Sequence, residues 1–121
     1  MRVVRPNWRA VGISAGTTTR TGGTSEGVYE SLNLGDHVGD TLSSVSANRE
    51  ILRKQAGLPA EPRWLNQVHG NRVIDSQSAE FASGPPDADA VVSQDGTDVL
   101  GILTADCLPI VLCSTQSPGL A

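Results

Sequence analysis

Apolar residues fall into three patterns along the chain, and each predicts a different element. In Gly101-Ile102-Leu103-Thr104-Ala105-Asp106-Cys107-Leu108-Pro109-Ile110-Val111-Leu112-Cys113, two nearly continuous apolar runs flank one thiol. Short apolar runs bounded by turn residues are the pattern of strands covered on both faces, although a buried helix has the same signature. Pro109 favours strand, because it would break a helix interior but is tolerated in the first residues of a strand. Cys107 is therefore expected at the break between two buried strands, where a rigid scaffold could present it to a cleft.

Residues 41–56 follow a helical period instead. Leu42, Val45, Arg49, Leu52 and Ala56 recur at three- and four-residue steps. Asp40 or Thr41 is a suitable N-cap, Gly57 a C-terminal stop, and Pro59 prevents a restart. Glu50, Arg53 and Lys54 form an ordinary solvated face. The third pattern, alternation at period two, runs through residues 11–19 and predicts a strand with one exposed face. Further strands are expected over residues 63–68, from Val73-Ile74, over 88–92 and over 99–104, with Asp95-Gly96 supplying hairpin-turn chemistry between the last two. Glycine and small polar residues mark loops at 20–27, 29–39 and 83–86, and turns at 69–71 and 114–119. The last turn has only Leu120 and Ala121 beyond it, like a hairpin cut before its second strand. Together these elements predict an α+β fold, with a helix packed on mixed, partly antiparallel sheets.

Composition narrows the function classes. A chain of 121 residues predicts one core. With 3% aromatic residues, that core must be built from Val, Leu, Ile and Ala. A net charge of −4 opposes the basic footprint of a nucleic-acid binder. No apolar stretch reaches the roughly eighteen residues of a membrane span, and the N-terminus lacks the apolar segment of a signal peptide, so a cytoplasmic location is expected. Two cysteines six positions apart make no disulfide framework. Cys113 reads as a small buried hydrophobe.

The chemistry-bearing residues are few. His69 stands at a predicted strand end beside Gly70, a usual place for a site residue held by a scaffold. With Cys107 it could provide two ligands of a zinc site, or the base and nucleophile of a cysteine hydrolase, or two structural residues. The two lie thirty-eight positions apart, so spacing does not choose among these. The Gly-rich loop after Arg20 reads either as an anion cradle built from backbone N–H groups or as an ordinary surface loop.

Five blocks narrow the choice. Thr19-Arg20-Thr21-Gly22-Gly23, Ser31-Leu32-Asn33-Leu34-Gly35, Trp64-Leu65-Asn66-Gln67-Val68-His69-Gly70, Ala88-Asp89-Ala90 and Thr104-Ala105-Asp106-Cys107-Leu108-Pro109 occur in this order along nearly the whole chain. They resemble the successive blocks of the YfiH-like, or laccase-domain, proteins, also called multicopper polyphenol oxidoreductases, some of which are described as purine nucleoside phosphorylases. The resemblance implies that residues 1–121 are the N-terminal part of a single laccase domain. It further implies a zinc or copper site in which His69 and Cys107 match two of three ligands. The third ligand in the family is the histidine of a His-Ala-Gly-Trp-Arg-Gly block that follows the cysteine block, beyond this sequence.

By resemblance the activity is phosphorolysis of adenosine, inosine, guanosine and methylthioadenosine, with adenosine deamination, by a site that is incomplete here. Arg20 is the candidate phosphate contact, and Asn33 and Gln67 are the candidates for orienting ribose or base. The alternatives are a cysteine-type hydrolase or amidase using Cys107 and His69, a polyphenol oxidase, and a non-catalytic truncated product. With His37 and His69 the only imidazoles, the multiple centres of a cupredoxin-type oxidase are excluded for this chain. Half of such a fold would leave sheet edges open, which predicts self-association.

Overall fold

The computed structural model describes residues 1–8, 10 and 12–114. Contacts gather them into two compact units. One comprises Met1–Trp8 and Ala15–Pro59, and the other comprises the segment from Ala60 onward with the described part of 9–14.

In the first unit β1 (Val3–Val4) pairs antiparallel with β2 (Thr17–Thr18), Val3 opposite Thr18. The strand expected over 11–19 shrinks to these two residues, and Val11 lies outside the described residues. Beyond a short 3-10 turn (Gly27–Tyr29) comes α1 (Leu42–Ala56), the element the periodicity predicted. Thr41 holds the N-cap position with extended backbone, but its side chain makes no capping bond. Asp40 Oδ1 instead accepts the Thr41 N–H at 2.7 Å. At the other end Gly57 takes the left-handed conformation (φ 65°) that a glycine adopts without a Cβ penalty, and its N–H returns to the last-turn carbonyls.

Val45 and Leu52 are buried, each contributing about 1.5–3 kcal/mol of transfer free energy. Leu42, expected on the same stripe, is exposed. The anchor of α1 is the irregular segment 23–36 and not the expected sheet face. Asn48, fully buried, bonds to Thr24, Ser25, Ser31 and Asn33, and Arg49 Nε donates to Leu34 O at 3.0 Å.

The second unit is built on β3 (Val73–Asp75) and β4 (Ala90–Val92), which pair in parallel with Ile74 opposite Val91. Parallel neighbours need a crossover, here residues 76–89 with a 3-10 helix over Ala79–Ser83. Leu65, Ile74, Ala88 and Val91 form the core, with Phe81 and Leu100 packed against it. Residues 63–68 contribute isolated parallel bridges, Arg63 to Leu100 and Asn66 to Asp87, where a continuous strand was expected.

The expected Asp95-Gly96 hairpin is absent. Asp95 Oδ1 accepts the Thr97 N–H and hydroxyl, each at 2.8 Å, and closes a local turn. The chain then leaves β4, and the Val99 carbonyl accepts the Arg63 N–H at 2.7 Å. The expected buried strands around Cys107 are likewise not formed among the described residues. Ala105–Cys107 is a bend, and Leu108, Ile110 and Leu112 are 85%, 76% and 66% exposed. A run apolar on both faces requires neighbours on both faces, and none of the described residues covers these side chains. Apart from Ser114, the turn expected over 114–119 lies outside the described residues.

Asp98 ties the second unit's loops together. Its carboxylate accepts from the hydroxyls of Ser76 and Ser93, both buried, and from Gln77 Nε2 at 3.0 Å. The Ser76 bond, then the Ser93 bond, lowers its pKa below the ordinary 3.8. A carboxylate depressed in the folded state adds stability that is present above its unfolded pKa and lost as the pH falls through the folded value. Urea unfolding is therefore expected to show a stability decline below about pH 4 that Asp98→Asn flattens. An unchanged profile in the variant would refute this role.

Candidate functional site

His69 occupies an exposed turn between the Asn66 bridge and β3. Its φ is 57°, and it is the one non-glycine residue with positive φ among those described. The neighbouring peptide groups are held from one side. Asp89 Oδ1 accepts the Val68 N–H at 3.2 Å, and Oδ2 accepts the Gly70 N–H at 3.0 Å. Asp89 is placed in turn by its own N–H, which donates to Arg72 O at 2.9 Å just ahead of β4. Arg72 forms a forked pair with Glu80 (2.6 and 3.1 Å) and donates to Asp87 O at 2.9 Å. Hydrogen bonding to Glu80 raises the Arg72 pKa, and the same contact lowers that of Glu80. Asn66 Nδ2 reaches Asp87 Oδ1 at 2.6 Å, so both acids of the Asp87-Ala88-Asp89 stretch hold the segment that carries His69.

Cys107 belongs to the same unit as His69 and is exposed at its bend, while Cys113 is half-buried and also unoxidised. Gln67, next to the histidine turn, is exposed. Among the described residues no three His, Cys, Asp or Glu side chains converge as a metal site. Imidazole and thiolate suit zinc or copper, but a catalytic zinc centre takes three protein donors plus water. The donor types fit; the donor number does not.

Arg20 and Asn33 lie in the first unit, where their side chains make local bonds. Arg20 Nε donates to Glu30 O at 2.7 Å and Nη2 to Val28 O at 3.2 Å. Asn33 donates to Gly35 O and Asp40 Oδ2 and accepts from Gly35 N–H. The Gly-rich loop spends its N–H groups internally: Gly22 and Gly23 donate to Ser31 Oγ, and Thr24 to Asn48 Oδ1. An anion at this loop would have to displace those acceptors. His37 stands apart from these contacts, exposed beside Asp36 at 3.7 Å. Sequence reasoning overlooked Asp89, since no spacing rule links an acid before a strand to N–H groups nineteen and twenty-one positions earlier.

The family model of the multi-copper polyphenol oxidoreductase laccases matches residues 14–121. The chain belongs to this family. The match spans all five blocks and includes both His69 and Cys107. Among curated proteins, the laccase-domain chain is similar to a purine nucleoside phosphorylase of Haemophilus influenzae, with 42% identity across 100% of this chain and 49% of that protein. It is also similar to the purine nucleoside phosphorylase YfiH of Escherichia coli, with 40% identity over 99% of this chain and 49% of that protein. A crystal structure of a Neisseria meningitidis protein superposes with a TM-score of 0.86 at 42% identity, covering 98% of this chain and 48% of that one. YlmD from Geobacillus stearothermophilus gives 0.79 at 32% identity, covering 93% and 45%. The chain thus spans about half the length of the curated relatives it matches. The α+β architecture agrees with these neighbours. No helix among the described residues is long and apolar enough to cross a membrane.

Proposed function

We propose that this chain supplies His69 and Cys107 to the metal centre of a purine nucleoside phosphorylase, and that the centre is completed by a donor outside residues 1–114. The observation that carries the reading is 42% identity along the whole chain to a relative bearing that name. In the proposed reaction a phosphate oxygen forms a bond to the ribosyl C1′ of adenosine, inosine, guanosine or methylthioadenosine. The bond from C1′ to the purine nitrogen breaks, and the base leaves with a proton. Adenosine deamination would use the same centre, and zinc or copper is the metal its donors suit. Gln67, beside the histidine turn, is the proposed contact to ribose or base, while Arg20 and Asn33 make local bonds in the first unit. The exposed run Leu108, Ile110, Val111 and Leu112 is the proposed surface for the completing segment, or for a second copy in the isolated chain.

The test mixes the chain with inosine, phosphate and zinc, alone and with a polypeptide matching the second half of a relative, while size-exclusion chromatography follows association. Expected are weak zinc binding, negligible hypoxanthine release and self-association for the chain alone, and turnover with a 1:1 complex after complementation. Tight stoichiometric zinc and nucleoside cleavage by a monomeric chain would overturn the incomplete centre. Activity that survives chelation but falls to iodoacetamide would support the cysteine-hydrolase alternative instead.

A further inference from the structure

We propose that Asp89 is the positioning residue of His69, its carboxylate clamping the backbone on both sides of the histidine and so setting the direction in which the imidazole is presented. The two oxygens divide the task, Oδ1 taking the N–H of Val68 at 3.2 Å and Oδ2 that of Gly70 at 3.0 Å. The residue between them has φ 57°, a conformation that a side chain with a Cβ disfavours and that persists where the surroundings over-determine it. Asp89 supplies that constraint from a fixed base. Its N–H and that of Ala90 both donate to Arg72 O (2.9 and 3.2 Å), and the Arg72 side chain is itself pinned by Glu80 and Asp87 O.

Gly70 fits the clamp. A Cβ there would stand 3.3 Å from Asp89 Oδ2, a tight contact, so glycine leaves room for the carboxylate to close. An asparagine at position 89 offers one acceptor oxygen and turns a donor toward the other N–H. The geometry stands by itself, whereas its functional meaning rests on the reading of His69 as a site residue.

The test uses the full chain, its Asp89→Ala, Asp89→Asn and His69→Ala variants, and NMR. Amide exchange at Val68 and Gly70 is expected to accelerate about tenfold or more in Asp89→Ala, at one of the two sites in Asp89→Asn, and not at Ile74 or Val91. The His69 imidazole signals should move while those of His37 stay in place. Titration with zinc ion alone should perturb His69 with a half-saturation several-fold higher in Asp89→Ala, and substitution of Asp89 should have no effect on zinc binding in the His69→Ala background.

Unchanged exchange at Val68 and Gly70 together with unmoved His69 signals would overturn the clamp. If Asp89→Ala unfolds, Asp89→Asn decides by the same two amides. Zinc that leaves wild-type His69 unperturbed would count against the metal reading alone, with amide exchange still deciding the clamp.

Discussion

Asn48→Ala is expected to lower the unfolding free energy by about 3 kcal/mol or more. Asn48 projects from α1, is fully buried, and uses both ends of its amide. Oδ1 accepts the Thr24 N–H at 2.7 Å and the Thr24 hydroxyl at 3.2 Å. Nδ2 donates to Ser25 Oγ at 2.8 Å, Ser31 O at 3.1 Å and Asn33 O at 2.9 Å. Alanine would leave those groups facing a cavity, and each buried polar group stripped of its partner costs about 1–3 kcal/mol. Ser31 O retains a bond from Ser25 N–H, and Ser25 Oγ still donates to Asp40, so the losses do not simply add. Asn48→Asp is expected to be at least as damaging, because a carboxylate oxygen would then face the carbonyls of Ser31 and Asn33. Urea unfolding followed by circular dichroism measures both. A loss under about 1 kcal/mol would mean that the loop is held by something other than Asn48.

Gly23→Ala is the second large effect, about 3 kcal/mol, and its cause is steric. An added Cβ would sit 2.3 Å from Ser31 O, 2.4 Å from Asn48 Oδ1 and 2.7 Å from Leu32 Cα. Two of those three atoms are backbone and cannot swing aside, so the 31–32 segment must move. Gly57→Ala is the instructive control: its Cβ would meet nothing within 4 Å, and its cost is confined to the left-handed backbone (φ 65°), about 1 kcal/mol. In an Asn48→Ala background one of the three Gly23 contacts vanishes and the Ser31 carbonyl remains. The double variant should therefore fall short of additivity by about 1 kcal/mol while Gly23→Ala retains most of its effect. Full additivity would place the two residues in separate networks, contrary to the hydrogen bonds that join them through Thr24 and Ser31.

Elements whose cause is local were readable in advance. The helix needed only its three- to four-residue period and a glycine stop, and it begins and ends within a residue of the expectation. The exposed position of Leu42 marks the limit, since whether a stripe residue is covered depends on what lies against it. The Asp95-Gly96 pair illustrates the same limit for turns. Its preference for a tight turn is real, but the Asp95 side chain closes a turn of its own and the following segment pairs with Arg63. The Gly-rich loop was legible as a loop. Its internal hydrogen bonding was not, because the acceptors that occupy its N–H groups come from Ser31 and from Asn48 on the helix.

The chain's own order of residues determined the helix, the loops and the family blocks. These rest on side-chain periodicity, backbone preference and residue identity, all of which act within a few positions. Only the tertiary structure decided that β3 and β4 run parallel, that Asn48 organises the first unit, and that Asp89 clamps the His69 turn. It also decided that the apolar run after Cys107 stands exposed. Each of those outcomes depends on which distant groups arrive within about 3 Å to satisfy a polar atom or cover an apolar one.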